Sequence, residues 1–140
     1  MEGLPRLRDF MARDLIVLQP DMDILQAMEV LLTNAISGAC VVAPNGLLLG
    51  VLSKKDCLRA ALNASYYQER GSTVSLHMNT DVETLDPNLD LVAVAERFLA
   101  SSFRRFPVLE TGQLVGQVSR ADVLRALKDN WGSVAPAQKQ

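Results

Sequence analysis

The sequence predicts an α/β (α+β) fold made of one β-α-β-β-α unit written twice. Three observations carry that reading. The stretch Gly50-Val51-Leu52-Ser53-Lys54-Lys55-Asp56 returns 66 positions later as Gly116-Gln117-Val118-Ser119-Arg120-Ala121-Asp122. A segment closed by proline at residues 14–20 returns at residues 81–87, 67 positions on. Between these landmarks the apolar residues recur with helical period in both copies.

Taken in order, residues 5–11 read as a short helical lead-in with Pro5 at an early helix position, and Met11 recurs as Met78. Residues 14–20 and 81–87 follow as short extended segments. Asp23 and Asp90 are each placed to cap the next helix. Those helices carry Ile24, Ala27, Met28, Leu31 and Leu32 in the first copy, and Leu91, Val94, Ala95, Phe98 and Leu99 in the second. Both sets follow one helical face, and all ten are expected in the core. Short strands come next, at residues 39–43 and 106–109. Pro44-Asn45-Gly46 and Glu110-Thr111-Gly112 supply turns, one residue being lost in the second copy. Second strands at 47–52 and 113–118 run into Ser-x-x-Asp and a last helix, marked by Leu58, Ala61 and Leu62, and by Val123, Leu124 and Leu127. Residues 63–73 read as a surface loop. The expected division is repeat 1 at 5–64, a linker at 65–73, repeat 2 at 74–130 and a mobile tail at 131–140.

Totals bound the function. At 140 residues, with 49% hydrophobic and 21% charged residues, the chain is ordinary for a globular protein of one compact unit or two small ones. No apolar run approaches the roughly 18 residues a membrane span needs, and residues 1–6 lack a secretory pattern; the cytoplasm is the expected location. The net charge of -2 argues against bulk nucleic-acid binding. Cys40 and Cys57 match no zinc or redox spacing, and His77 is the single histidine. There is no Walker loop, no nucleophile–base pairing and no metal set, so no enzyme and no catalytic cofactor are expected.

The Ser-x-x-Asp junctions admit two readings. Each places backbone N–H groups, a hydroxyl and a carboxylate at a helix start, where they could hold a phosphate-bearing sugar. Each also has the form of a capping box, in which Ser caps the helix and the acid reaches back.

The tandem units, the strand Arg105-Phe106-Pro107-Val108-Leu109 and the two Ser-x-x-Asp junctions together resemble a pair of cystathionine-β-synthase (CBS) domains, a stand-alone Bateman module. The resemblance covers about residues 5–130. It implies two three-stranded sheets related by a pseudo-two-fold axis, and clefts between the halves that take AMP, ADP, ATP or S-adenosylmethionine. It also implies a homodimer and a regulated partner protein that the sequence does not name.

On that resemblance Asp122 and Asp56 take ribose hydroxyls, and Ser119 and Ser53 lie near phosphate. Val82 and Thr84 line the second-copy site, with Val17 the first-copy counterpart of Thr84. Phe106 and Pro107 wall an adenine pocket, and their counterparts are Ala39 and Cys40. Arg105, with Arg104 beside it, is a phosphate clamp or a pair of solvated cations. Arg120 is a further phosphate candidate or a helix-start cation. Lys54, Lys55 and Arg59 read as a solvated face. Val17, Ala39 and Cys40 make the first-copy site less polar, so the second site is expected to dominate. The competing reading is an interaction scaffold with empty clefts, in which the Ser and Asp residues are caps alone.

Overall fold

The computed structural model describes residues 3–67 and 72–132. The expected tail at 133–140 and residues 68–71 of the expected linker lie outside the described residues. In chain order the elements are α1 (Leu7–Phe10), β1 (Val17–Leu18), α2 (Ile24–Thr33), β2 (Gly38–Val42), β3 (Leu48–Ser53), α3 (Lys54–Tyr67), α4 (Val74–His77), α5 (Leu91–Leu99), β4 (Arg105–Glu110), β5 (Gln113–Ser119) and α6 (Arg120–Gly132). They form two compact units. One is Ile16–Val82; the other joins the described residues up to Leu15 to those from Glu83 on. The sequence repeat and the compact units cut the chain at different places, because each lead-in folds with the sheet of the other copy.

In the Ile16–Val82 unit, β1 pairs parallel with β2, and β2 pairs antiparallel with β3. Asp23 caps α2 by accepting from the Leu25 amide at 2.8 Å. The core unites Leu18, Ile24, Ala27, Leu31, Val41, Leu52, Cys57 and Val74. The lead-in of the second copy straps this unit. Ile24 N–H donates to Ser72 O, Val74 N–H to Met22 O and Ser75 N–H to Pro20 O, at 2.9–3.0 Å. Val51 and Asn79 then exchange both backbone hydrogen bonds at 2.9 Å beside Gly50.

The other unit repeats this plan with the first lead-in as its strap. Leu91 N–H donates to Pro5 O, Leu7 N–H to Leu89 O and Arg8 N–H to Pro87 O, at 2.8–3.0 Å. Ala12 and Gln117 exchange backbone bonds at 2.8 and 2.9 Å beside Gly116. Pro5 therefore precedes the helix, whose cap residue is Arg6, instead of sitting in its first turn. Asp90 caps α5 through the Ala93 amide at 2.9 Å. Leu7, Met11, Leu85, Phe98, Phe106, Val108, Val118 and Val123 form the core.

This second sheet has two strands, not the three that the family resemblance implies. The third is reduced to one parallel bridge, Leu85 with Val108, in which Leu85 N–H donates to Pro107 O and Leu109 N–H to Leu85 O. Extending the ladder by a Thr84–Pro107 pair needs an amide at residue 107 donating to Glu83 O. Proline has none. In the first copy Cys40 stands at that position, and the pair Val17–Cys40 forms.

The hairpins explain the missing residue. Pro44, Asn45 and Gly46 make a three-residue turn, with Gly46 at φ 91°. Glu110 and Gln113 are closed by two residues alone, Thr111 at φ 50° and Gly112 at φ 82°. Both left-handed positions suit a two-residue hairpin; a β-branched residue at the first carries strain of about 1–3 kcal/mol.

Three further expectations change. α3 runs on through Tyr67, so the surface loop does not begin at Asn63; Ala60, Ala61 and Ala64 favour helix, and Ser65 Oγ donates to Ala61 O at 3.0 Å without leaving it. α6 likewise runs through Gly132, past the expected start of the tail at 131. Leu32 and Leu99 are not core: they are 68% and 88% exposed. Each helix covers one face of a small sheet, so its buried stripe is narrow, and the i+8 position falls off its edge.

Candidate functional site

Both Ser-x-x-Asp junctions fold as complete capping boxes. In the first, Asp56 Oδ2 accepts from Ser53 N–H at 2.9 Å, and Asp56 N–H donates to Ser53 Oγ at 3.1 Å. In the second, Asp122 Oδ2 accepts from Ser119 N–H at 2.9 Å, and Asp122 N–H donates to Ser119 Oγ at 3.2 Å. The remaining carboxylate oxygen meets an arginine one turn on, Arg59 at 3.1 Å and Arg125 at 2.7 Å. Arg125 was not singled out by the sequence; its spacing of three from Asp122 is the signal that could have found it.

The boxes differ in one proton. Ser53 Oγ also donates to Asp56 Oδ2 at 2.8 Å, so its hydrogen is committed inside the protein. Ser119 Oγ makes no such donation among the described residues, which leaves its hydroxyl hydrogen for an incoming acceptor.

Strand register sorts the other candidates. Side chains alternate between faces, and paired residues share one. Arg105 is paired with Ser119, Phe106 with Val118 and Pro107 with Gln117. Phe106 is 1% exposed and packs edge-on against Phe98, with ring centroids 4.7 Å apart, on the helix side. Arg105, Pro107 and Ser119 therefore share the opposite face. Thr84 joins them, because its neighbour Leu85 pairs with Val108 on the core side. The same rule in the other unit puts Val17, Gly38, Cys40 and Ser53 on one face and Ala39, 4% exposed, in the core. Phe106 and Ala39 turn their side chains away from the face that carries the polar candidates, so neither side chain walls a pocket there. Val82, half-buried, ends the Ile16–Val82 stretch and is assigned with that unit, apart from Thr84.

Charge separates the two faces further. Arg104 is exposed and Arg105 half-buried, and neither side chain has a hydrogen-bond or ion-pair partner among the described residues. Arg120 is exposed; its amide donates to Arg104 O at 3.3 Å and its guanidinium reaches Ser102 O at 3.5 Å. The first copy has Ser37 and Gly38 where the second has Arg104 and Arg105. A side chain at Gly38 has no room: its Cβ would stand 2.9 Å from Leu52 O and 3.3 Å from Ser53 Cα. The difference between the copies is thus built into the backbone. Beside Thr84 lies a cavity of about 350 Å³, lined also by Leu85, Asp86, Leu89, Arg97 and Leu109. Arg97 escaped the sequence reading, being one charge on an exposed helix face; it pairs with Glu83 at 3.4 Å.

No metal-holding cluster of three or more His, Cys, Asp or Glu occurs among the described residues. Cys40 and Cys57 are both buried and form no disulfide. Burial, and then the Asp56 charge, push the Cys57 thiol above its ordinary range; a thiol held protonated is a poor nucleophile. Among the described residues no helix is long and apolar enough to cross a membrane.

Comparison with known proteins shows the family. The model of the CBS domain matches twice, at residues 7–63 and 73–129. An uncharacterised protein of Methanocaldococcus jannaschii is 29% identical over 125 residues, 89% of this chain and 44% of its own length. The A-adding tRNA nucleotidyltransferase of Aquifex aeolicus is 31% identical over 125 residues, which are 89% of this chain and 15% of that enzyme. The chain thus spans less than half of either relative. Among solved structures, the complex of CBSX2 with AMP superposes with a TM-score of 0.78 at 28% identity, covering 90% of this chain and 98% of that one; CBSX2 is a CBS-pair protein of Arabidopsis thaliana.

Proposed function

Because this chain belongs to the CBS domain family, we propose that it is a regulatory, non-catalytic module that binds an adenosine-containing nucleotide and so modulates a partner protein. One observation carries the reading: Ser119, Arg105 and Thr84 share one face of a small sheet by strand register, and Asp122 is bonded to Ser119 at the start of a long helix. Such a set offers a carboxylate to ribose hydroxyls, and a hydroxyl and a guanidinium to phosphate. The likeness to a CBS-pair protein crystallised with AMP supports the ligand class. Occupancy matters to a partner only if the nucleotide binds one state of the module better than another.

The two junctions are unequal in this reading. Asp56 has the same cap and the same arginine as Asp122, but it lacks a counterpart of Arg105 and a free serine hydrogen. Titration calorimetry with AMP, ADP and ATP on Asp122→Ala and Asp56→Ala tests this. Asp122→Ala is expected to abolish most of the binding and Asp56→Ala little of it. Equal losses would defeat the asymmetry, and no binding by the unaltered protein would defeat the nucleotide reading.

A second reading, a nucleotide-independent dimerisation scaffold, is favoured by one feature. Both carboxylates are already satisfied internally, by a cap on one oxygen and an arginine on the other. The two readings share the homodimer. Exposed apolar residues recur at equivalent helix positions, Leu25 with Val92, Leu32 with Leu99 and Leu58 with Leu124, all at least 40% exposed. A second copy of the same surface suits such a repeated apolar pattern.

A further inference from the structure

We propose that the cavity of about 350 Å³ beside Thr84 is a second small-molecule site, and that its ligand is a free α-amino acid with an aliphatic side chain. This site does not depend on the nucleotide reading, since no residue of the Ser119–Asp122 junction lines the cavity.

The two copies differ where the cavity lies. Val30, the counterpart of Arg97, packs against the core of its own unit together with Met22, the counterpart of Leu89. A guanidinium cannot follow it there without losing its hydration. Arg97 turns instead to Glu83, which stands where the first copy has Ile16, and the place of an aliphatic plug is left open. Two chemistries line that space. Leu85, Leu89 and Leu109, buried or half-buried, give an apolar floor, and the exposed Asp86 and Arg97 bring opposite charges to its rim. Neither charge is fully matched. Asp86 Oδ1 accepts from the Asn88 amide at 2.8 Å, and its other oxygen has no partner among the described residues. The Arg97 guanidinium meets Glu83 alone among them, at 3.4 Å, a long and weak contact between exposed groups. Glu83, Asp86 and Arg97 sum to one negative charge, which favours an ammonium and disfavours a bare carboxylate. Arg97 nevertheless offers a fork of donors to a carboxylate beside that ammonium. A zwitterion answers both groups, and the leucine floor calls for an aliphatic side chain. The volume lies at the small end of ligand pockets, about 300–1,000 Å³, as a molecule of amino-acid size requires.

NMR titration of the isotope-labelled full chain tests the proposal, with L-leucine as the probe and isoamylamine, 4-methylpentanoate and glycine as its parts. Leucine is expected to shift the amides of Leu85, Leu89 and Arg97. Isoamylamine should bind roughly tenfold more weakly, 4-methylpentanoate more weakly again, and glycine not detectably. Arg97→Val installs the first-copy residue; it should abolish leucine binding, hold or raise the melting temperature, and leave the response to AMP as in the parent. Asp86→Asn keeps the acceptor for the Asn88 amide and should lower leucine affinity roughly tenfold. No shift with leucine at millimolar concentration overturns the proposal, whether or not a nucleotide binds. Equal binding of leucine and 4-methylpentanoate overturns the amino-acid assignment. Leucine binding that survives Arg97→Val, or an AMP response lost with it, overturns the assignment to a separate cavity.

Discussion

Replacing Gly50 by alanine tests how the second-copy strap is seated. A Cβ there would lie 2.7 Å from Asn79 O and 3.1 Å from Met78 Sδ, whereas ordinary contact begins at 3.4 Å. The strap must retreat by 3.4 − 2.7, about 0.7 Å, and the atom in the way is backbone. That retreat stretches the two bonds between Val51 and Asn79, each 2.9 Å. At about 1 kcal/mol net per bond, with some overpacking against Met78, the loss is about 2–3 kcal/mol. For 140 residues the unfolding entropy is roughly 0.3 kcal/mol per degree, so the melting temperature should fall by about 7–10 °C. Thermal and urea melts measure the loss, and hydrogen exchange at Asn79 and Val51 locates it. Gly116→Ala is the internal comparison: its nearest obstacle is the Met11 thioether, which can swing aside, although Ala12 O at 2.9 Å cannot. It should cost less. A Gly50→Ala protein within about 0.5 kcal/mol of the parent, with unchanged exchange at Asn79, refutes the reasoning.

Two other substitutions probe distinct features. Pro107→Val restores an amide facing Glu83 O and should extend the Leu85 bridge into a two-residue strand like β1. The new amide is expected to be protected in hydrogen exchange, and free exchange there would mean that proline is not what shortens the sheet. Leu32→Asp combined with Leu99→Asp places charge on the repeated apolar stripe without touching either core. Sedimentation should then show a folded monomer in place of a dimer, and an undiminished dimer would remove these helix faces from the interface.

Much of this molecule is readable in its residues, and what is not has identifiable causes. Asp23 and Asp90 announce their helices because a cap needs a short acceptor beside the first orphan amides, and both make that bond. The Ser-x-x-Asp spacing fixes the junctions for the same local reason. The expectations that fail depend on partners distant in sequence. Met11 recurs as Met78, but periodicity does not say which sheet each lead-in joins. Leu32 and Leu99 have core periodicity, yet exposure depends on how many layers cover a helix. Pro107 reads as part of an ordinary strand until its missing amide is matched to Glu83 O. For the candidate site, Ser119 follows from the repeat, and Arg105 and Thr84 from the family resemblance, whereas the orientation of Phe106 follows only from register. The free Ser119 hydrogen depends on a rotamer that no spacing reveals.

The exchange of lead-ins has a consequence for synthesis. Residues up to Leu15 leave the ribosome well before the strands and helices that receive them, from Glu83 onward. The intervening Ile16–Val82 unit can close upon itself while the lead-in before it waits. Severing the first fifteen residues would therefore expose the late-made half, and leave the half adjoining the cut with its own strap still in place.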